Sequence, residues 1–108
     1  MQQDQLITLL TNIAEDRKAS ELVLQDLRSI SSICDYQFIC SGSNSRHTRA
    51  ISTAITKQLQ QATGLSPLQV EGETEGRWII LDYGDFLVHV FQPEIRSHYD
   101  FDNLWVRD

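Results

Sequence analysis

The stretch WIILDYGDFLVHVF, residues 78–91, predicts a β-hairpin, because hydrophobic residues alternate along two short runs that meet at a glycine. We place Tyr83 and Gly84 at the centre of a tight turn, since glycine supplies the positive φ that such turns need. In this register Asp82 faces Asp85 across the hairpin. The remaining pairs follow by counting outward from the turn.

The two faces of the predicted hairpin differ in composition. The first is wholly apolar, as a core-facing surface should be, and comprises Ile79, Leu81, Phe86, Val88 and Val90. The second mixes aromatic, aliphatic and charged side chains and comprises Trp78, Ile80, Asp82, Asp85, Leu87, His89 and Phe91. A merely solvated face should be more polar than this. The mixture is typical of the apolar centre and charged edge of a protein-binding patch.

Like charges opposite each other cost stability, so paired aspartates favour a surface that a cation reaches from outside. Two plainer interpretations stay open. Asp82 and Asp85 can hydrogen-bond the amides of the turn, as aspartate commonly does. His89, which this register places opposite Trp78, can be a packed and satisfied core histidine.

The rest of the chain predicts an α/β domain over residues 1–108, with a single mixed β-sheet flanked by helices. The predicted order is helix, strand (21–27), strand (YQFICSGS), helix, strand (68–71), hairpin and a short helix that begins near Pro93. The most regular helix carries Ile51, Ile55 and Leu59 on one side and ends at Gly64. We expect a right-handed parallel crossover around this helix. We also expect Tyr99, Leu104 and Trp105 to cover the sheet.

Composition narrows the class of function. The net charge is −6, which argues against a protein whose main partner is a phosphate backbone and suits a basic protein partner. No apolar run approaches the roughly 20 residues of a membrane span, and the first residues do not resemble a secretory signal. Cys34 and Cys40 match neither a zinc pair nor a redox motif. We therefore expect a cytoplasmic protein with free thiols and little or no direct nucleic-acid binding.

The loop SGSNSRHTR, residues 41–49, leads from a strand into a helix and suggests a helix cap or an anion site. We prefer capping, because serine and asparagine commonly precede helices. The residues for a bound anion would be Ser43, Ser45, Arg46 and Arg49.

Catalytic and metal-binding functions are not expected. Asp85 and His89 lie roughly 13 Å apart along one strand, too far to share a single ion. The Gly-Ser pair of CSGSNS resembles the start of the nucleotidyltransferase motif, but active enzymes of that class follow it with a D-x-D carboxylate pair. This chain has D-x-x-D across a turn, in DYGD. We expect no enzymatic activity, no metal and no cofactor.

Together, ELVLQDLRSISSICDYQFICSGSNSRHTRAI, WIILDYGDFLVHVF and RSHYDFDNLW resemble the ribosomal silencing factor family, also called Iojap-like proteins, over nearly the whole chain. The resemblance implies a nucleotidyltransferase-like topology without the catalytic carboxylates. It also implies a non-enzymatic factor, often a homodimer, that binds the large ribosomal subunit through ribosomal protein fourteen.

By occupying that position such a factor would block joining of the small subunit and repress translation when nutrients are scarce; organellar relatives are linked to large-subunit assembly. For the contact with the ribosomal protein we expect Trp78, Ile80 and Leu87 at the centre, Asp82 and Asp85 as cation partners, and Tyr83 and His89 at the edges.

Overall fold

The predicted order of elements is confirmed by the structure, a computed structural model that describes residues 3–29 and 34–98. The elements are α1 (Gln3–Asp16), β1 (Ser20–Asp26), β2 (Tyr36–Ser41), α2 (Ser45–Thr63), β3 (Gln69–Glu71), β4 (Trp78–Asp82), β5 (Phe86–Phe91) and α3 (Pro93–His98). The prediction that Tyr99, Leu104 and Trp105 cover the sheet falls outside the described residues. None of the helices in the described ranges has both the length and the hydrophobicity of a membrane span.

The five strands form one sheet in the order β1-β2-β5-β4-β3. The central pair, β2 and β5, is parallel, and the other three pairs are antiparallel. The mixed α/β sheet is therefore confirmed, with α2 in the connection that makes the β2–β5 pairing parallel.

One face of the sheet packs against α1 and α2 and forms the main core. The buried side chains of β4 and β5 in this core are the five assigned to the apolar face: Ile79, Leu81, Phe86, Val88 and Val90. Phe38 and Cys40 of β2 join them, and Leu10 and Ile55 pack from the two helices. The apolar residues that alternate along the strands and those that recur every three to four positions along the helices thus pack together in one core.

Helix α2 has a defined cap at each end. The side chain of Asn44 accepts a hydrogen bond from the backbone N–H of His47 at the N-cap. Gly64 adopts the left-handed conformation with φ of 78° and donates its N–H to the carbonyl of Gln60. These contacts satisfy backbone groups that a helix end would otherwise leave without partners.

The turn of the hairpin lies one residue beyond its predicted position. Tyr83 N–H donates to the carbonyl of Phe86 at 3.0 Å, so the two central residues are Gly84 and Asp85. Gly84, at the first central position, has φ of +89°, the positive value that glycine allows there. Its N–H donates to Asp82 Oδ1 at 2.8 Å. The prediction of a Tyr83-Gly84 turn is therefore wrong.

The strand register shifts with the turn. Asp82 pairs with Leu87 rather than with Asp85, and Trp78 pairs with Phe91 rather than with His89. Moving the turn by one residue moves the cross-strand partner of each residue by two positions. Because side chains alternate with a period of two, every strand residue keeps its predicted face. The cost of two opposed aspartates does not arise.

The second face of the sheet is partly covered by α3. Ile95 of this helix packs against Ile39 and Phe91 in a small second core. Arg96 is buried, and its Nη1 donates to Ser41 Oγ and to the carbonyl of Glu21, both at 2.8 Å. Helix α3 thereby closes one end of this face and leaves the end near the hairpin turn more open.

Candidate functional site

The second face of the hairpin divides into two parts of different exposure. Near α3, His89 and Phe91 are buried and Trp78 is half-buried. Near the turn, the side chains are partly or fully exposed; we call this part the hairpin-tip surface, and it comprises Ile80, Asp82, Asp85 and Leu87. Of the seven residues predicted for protein binding, these four lie together at an accessible position.

The buried part holds a chain of side-chain hydrogen bonds that crosses four strands. Trp78 Nε1 donates to His89 Nδ1 at 3.0 Å, and His89 Nε2 lies 2.7 Å from Gln37 Oε1. Gln37 Nε2 continues the chain to Gln25 Oε1 at 3.3 Å. His89 is therefore a satisfied core histidine rather than an edge residue of a docking surface, which corrects its predicted role.

The partners of His89 define its tautomer. The indole N–H of Trp78 can only donate, so Nδ1 of His89 must accept and Nε2 must carry the proton. A second proton on the imidazole would sit on Nδ1 and face the N–H of Trp78. It would also place a positive charge on His89, which is only 4% exposed. Burial lowers the pKa of His89 to about 4.

The depressed pKa of His89 gives a predicted pH dependence. In the unfolded chain histidine has a pKa of about 6.5, so between pH 6.5 and about 4 the unfolded state binds a proton that the folded state does not. Stability should therefore fall as the pH decreases through this window, by about 3 kcal/mol from this group. We expect urea unfolding of wild type and His89→Gln to show a smaller loss between pH 7 and pH 4.5 in the variant.

Thr53→Ala provides the control for this experiment, because Thr53 is exposed on α2 and carries no titratable group. It should retain the wild-type dependence on pH. An equal pH dependence in wild type and His89→Gln would contradict the assignment of a buried neutral imidazole.

Tyr83 lies at the start of the hairpin turn and is half-buried against the main core. Its ring stacks on Phe86 at 4.7 Å and packs against the main core. Burial raises the pKa of the Tyr83 phenol, and the nearby Thr56 lowers it by a smaller amount. Tyr83 thus packs under the turn with part of its side chain accessible, and its role at the edge of a protein contact stays a prediction.

Negative charge gathers at the hairpin tip. Asp35 N–H donates to the carbonyl of Asp85 at 2.7 Å, which brings the segment before β2 against the turn. Burial raises the pKa of the Cys34 thiol, and the carboxylates of Asp35 and Asp82 raise it further. The carboxylates of Asp35 and Asp82 therefore both lie close enough to the Cys34 thiol to affect its pKa. The exposed Asp85 is the neighbour of Asp35 through the hydrogen bond between their backbones.

An exposed leucine that the sequence did not single out lies beside the hairpin tip. Leu68 is 76% exposed, and a Cβ added to Gly84 would lie 3.3 Å from its Cδ1. Leu68 belongs to a predicted strand, and nothing in the sequence distinguished it from a packed strand residue. The hairpin tip thus combines apolar side chains with carboxylates, which suits a partner with cationic groups around an apolar centre.

The 41–49 loop is organised by contacts within the chain. Besides the Asn44 cap, Ser43 N–H donates to His47 Nδ1 at 2.8 Å. Nε2 of the same imidazole lies 2.7 Å from the carbonyl of Arg17. The preferred interpretation of this loop as a helix cap is confirmed.

The other predicted anion ligands also have protein contacts. Ser45 Oγ donates to the carbonyl of Glu75 at 2.8 Å, and Arg49 Nη1 donates to the carbonyl of Thr74 at 3.2 Å. Arg46 is exposed on the surface of α2. The anion site at Ser43, Ser45, Arg46 and Arg49 stays a prediction, tested by thermal shift with a nucleoside triphosphate and magnesium in wild type and Arg46→Ala. Within residues 3–29 and 34–98, no group of three or more His, Cys, Asp or Glu is placed to hold a metal ion.

Comparison with known proteins decides the family. The model of the family "Ribosomal silencing factor during starvation" matches residues 1–108. The chain belongs to this family. It is 33% identical over 105 residues to a ribosomal silencing factor of Halalkalibacterium halodurans, an alignment that covers 97% of this chain and 89% of the relative.

A solved structure and a more distant relative extend the comparison. A crystal structure of a protein from Chromobacterium violaceum superposes with a TM-score of 0.91 at 28% identity, covering 97% of this chain and 87% of the other. A mouse protein named for mitochondrial assembly of the ribosomal large subunit is 25% identical over 101 residues, or 92% of this chain and 44% of its own length. The resemblance inferred from the sequence is therefore confirmed at the level of the family.

Proposed function

We propose that this protein binds the large ribosomal subunit in the cytoplasm through ribosomal protein fourteen, blocks joining of the small subunit and so represses translation when nutrients are limited. It would act by binding and not by catalysis. The observation that carries the proposal is the hairpin-tip surface, where Leu87 lies opposite Asp82, Ile80 follows on the side away from the turn, and the exposed Asp85 lies in the turn itself.

Charge supports a basic ribosomal protein as the partner. The chain has a net charge of −6, and Asp35 adds a third carboxylate to the tip. Opposite charges accelerate encounter and set orientation, whereas the desolvated apolar centre contributes most of the affinity. Trp78, on the same face but nearer α3, would support this surface from its side, because it stacks on Phe91 at 4.8 Å and donates to His89.

The size of the domain supports a steric mechanism. The molecule measures 35 × 34 × 22 Å along its principal axes. A rigid body of these dimensions on the joining face of one subunit keeps the other from close approach. No movement within the protein is required.

Sedimentation with separated ribosomal subunits tests the proposal. We expect the wild-type protein to pellet with isolated large subunits and not with small subunits, and to reduce reassociation of the two when added first. Binding to free ribosomal protein fourteen, measured with the purified protein, should account for this preference. Equal pelleting with both subunits would overturn the proposal.

A second candidate function is assembly of the large subunit through the same surface. It is favoured by the mouse relative, whose name refers to assembly of the mitochondrial ribosomal large subunit. The two functions differ in timing, because an assembly factor accumulates on immature particles whereas a silencing factor holds mature subunits apart. Gradient profiles of cells that carry a tagged protein distinguish the two.

A further inference from the structure

A groove along α2, bordered by the turn that follows α1, gathers positive charge in this acidic protein; we call it the α1–α2 groove. It has a volume of about 550 Å³, and four cationic side chains line it, with no carboxylate among the lining residues: Arg17, Arg46, Arg49 and Lys57. Arg17 lies just past the end of α1, and the other three come from α2. The groove lies on the helices, away from the second face of the hairpin.

The charge of α2 sets it apart from the rest of the chain. Its 19 residues contain Arg46, Arg49 and Lys57 and no aspartate or glutamate, so α2 carries +3 and the rest of the chain −9. The expectation of little nucleic-acid contact rested on net charge alone. Helix α2 nevertheless carries only cations among its charged residues, and a local basic strip can bind a polyanion even when the net charge of the protein is negative.

None of the four cations of the strip forms an ion pair within the described parts of the chain, although Arg49 donates a hydrogen bond to the carbonyl of Thr74. The ion pairs there are Arg28 with Asp26 and Arg96 with Glu21, both outside the groove. Arg46 lies in the first turn of α2, where the helix dipole disfavours a positive charge. An anion bound in the groove would offset both the mutual repulsion and the unfavourable dipole.

The length of the strip selects the kind of anion. Arg46 and Lys57 are eleven residues apart on one helix, which corresponds to about 16 Å along its axis. A single phosphate cannot span this distance, whereas a nucleic-acid backbone presents charges regularly along it. The apolar lining consists of Ala50 and Ala54, which offer no bulky group for insertion into a membrane.

We propose that the α1–α2 groove binds the phosphate backbone of structured RNA, as a second contact beside the hairpin-tip surface. The inference rests on the proposed function in one respect, because a ribosomal subunit presents RNA next to protein. Arginine, lysine and threonine are ordinary phosphate ligands, and Thr53 lies exposed in the groove between the cations. The contact follows shape and charge and requires no base sequence.

Fluorescence anisotropy with a labelled double-helical RNA of about 20 base pairs tests this inference. With three phosphate contacts, the affinity of the wild-type protein should fall roughly 40-fold between 50 and 200 mM salt. Arg46→Gln/Lys57→Gln should bind at least about tenfold more weakly at 50 mM salt and show a smaller salt dependence. Both side chains are exposed, and circular dichroism checks that the variant is folded.

The matched control is Arg28→Gln/Arg77→Gln, which removes the same charge from exposed positions outside the groove. It should bind RNA like wild type. No RNA binding by wild type, an equal loss in the control, or equally tight binding of polyglutamate or anionic lipid vesicles to the groove would each overturn the proposal.

The RNA experiment and the sedimentation experiment can fail independently. Wild-type protein that pellets with large subunits but ignores the RNA duplex removes the RNA contact and leaves the proposed function standing. Wild-type protein that binds the duplex but pellets equally with both subunits removes the proposed function and leaves the RNA contact standing.

Discussion

Replacing Phe91 by alanine should lower the free energy of unfolding by about 3–5 kcal/mol. Phe91 has no exposed surface and packs against Ile39 and Ile95 in the small core under α3. Its ring also stacks on Trp78 at 4.8 Å and on His89 at 5.9 Å. Truncation therefore creates a cavity and loosens the support of the buried hydrogen-bond chain. Urea unfolding at pH 7 measures the loss.

Val70→Ala is the control for this prediction. Val70 lies on the edge strand β3 and is an exposed hydrophobic residue, so its truncation should change stability by at most about 0.5 kcal/mol. Phe91→Leu should recover a large part of the loss. A loss below about 1 kcal/mol for Phe91→Ala would mean that α3 does not pack on this face in solution.

Replacing Asp85 by lysine should weaken binding to the large ribosomal subunit at least about 100-fold. Within the proposed contact, the change turns an attraction into a repulsion between like charges, which costs several kcal/mol when the groups are desolvated. Asp85 is the appropriate residue because its side chain is exposed and, among the residues that the structure describes, its carboxylate makes no hydrogen bond; its carbonyl accepts from the N–H of Asp35. Asp82 is less suitable, since its carboxylate also caps Gly84 N–H.

Glu94→Lys controls for the change in total charge, because Glu94 is exposed on α3 at the other end of the face. It should bind within about threefold of wild type, as expected for a charge remote from the contact. Affinities come from sedimentation at several protein concentrations, with thermal unfolding of both variants to confirm folding. Undiminished binding by Asp85→Lys would remove the hairpin tip from the proposed interface.

The sequence predicted the elements and their faces because periodicity records burial directly. The apolar stripe of Ile51, Ile55 and Leu59 predicted α2, and Gly64 correctly predicted where it ends. The alternation along residues 78–91 also assigned each hairpin strand residue to its face. That assignment depends only on the parity of the position, so it survived an error of two residues in the register.

The register itself depended on a local choice between two similar turns. Both DYGD placements put Gly84 at a central position, and only the backbone geometry distinguishes them. The sequence left open a packed, satisfied His89 but could not name its partner, because Gln37 lies 52 residues away and on a different strand. The charge of the α1–α2 groove was missed because Arg17 lies about 30 positions before α2 in the sequence and reaches it only in the folded chain, where its carbonyl lies 2.7 Å from His47 Nε2.

The position of β5 has a consequence for how the molecule opens. This strand joins two antiparallel pairs, β1–β2 on one side and β4–β3 on the other. Two-stranded pieces are marginal in water by themselves, so neither half should persist once β5 detaches. Amide hydrogen exchange in Phe86–Phe91 should therefore require unfolding of the whole domain, while the edge strand Gln69–Glu71 should exchange through local fraying.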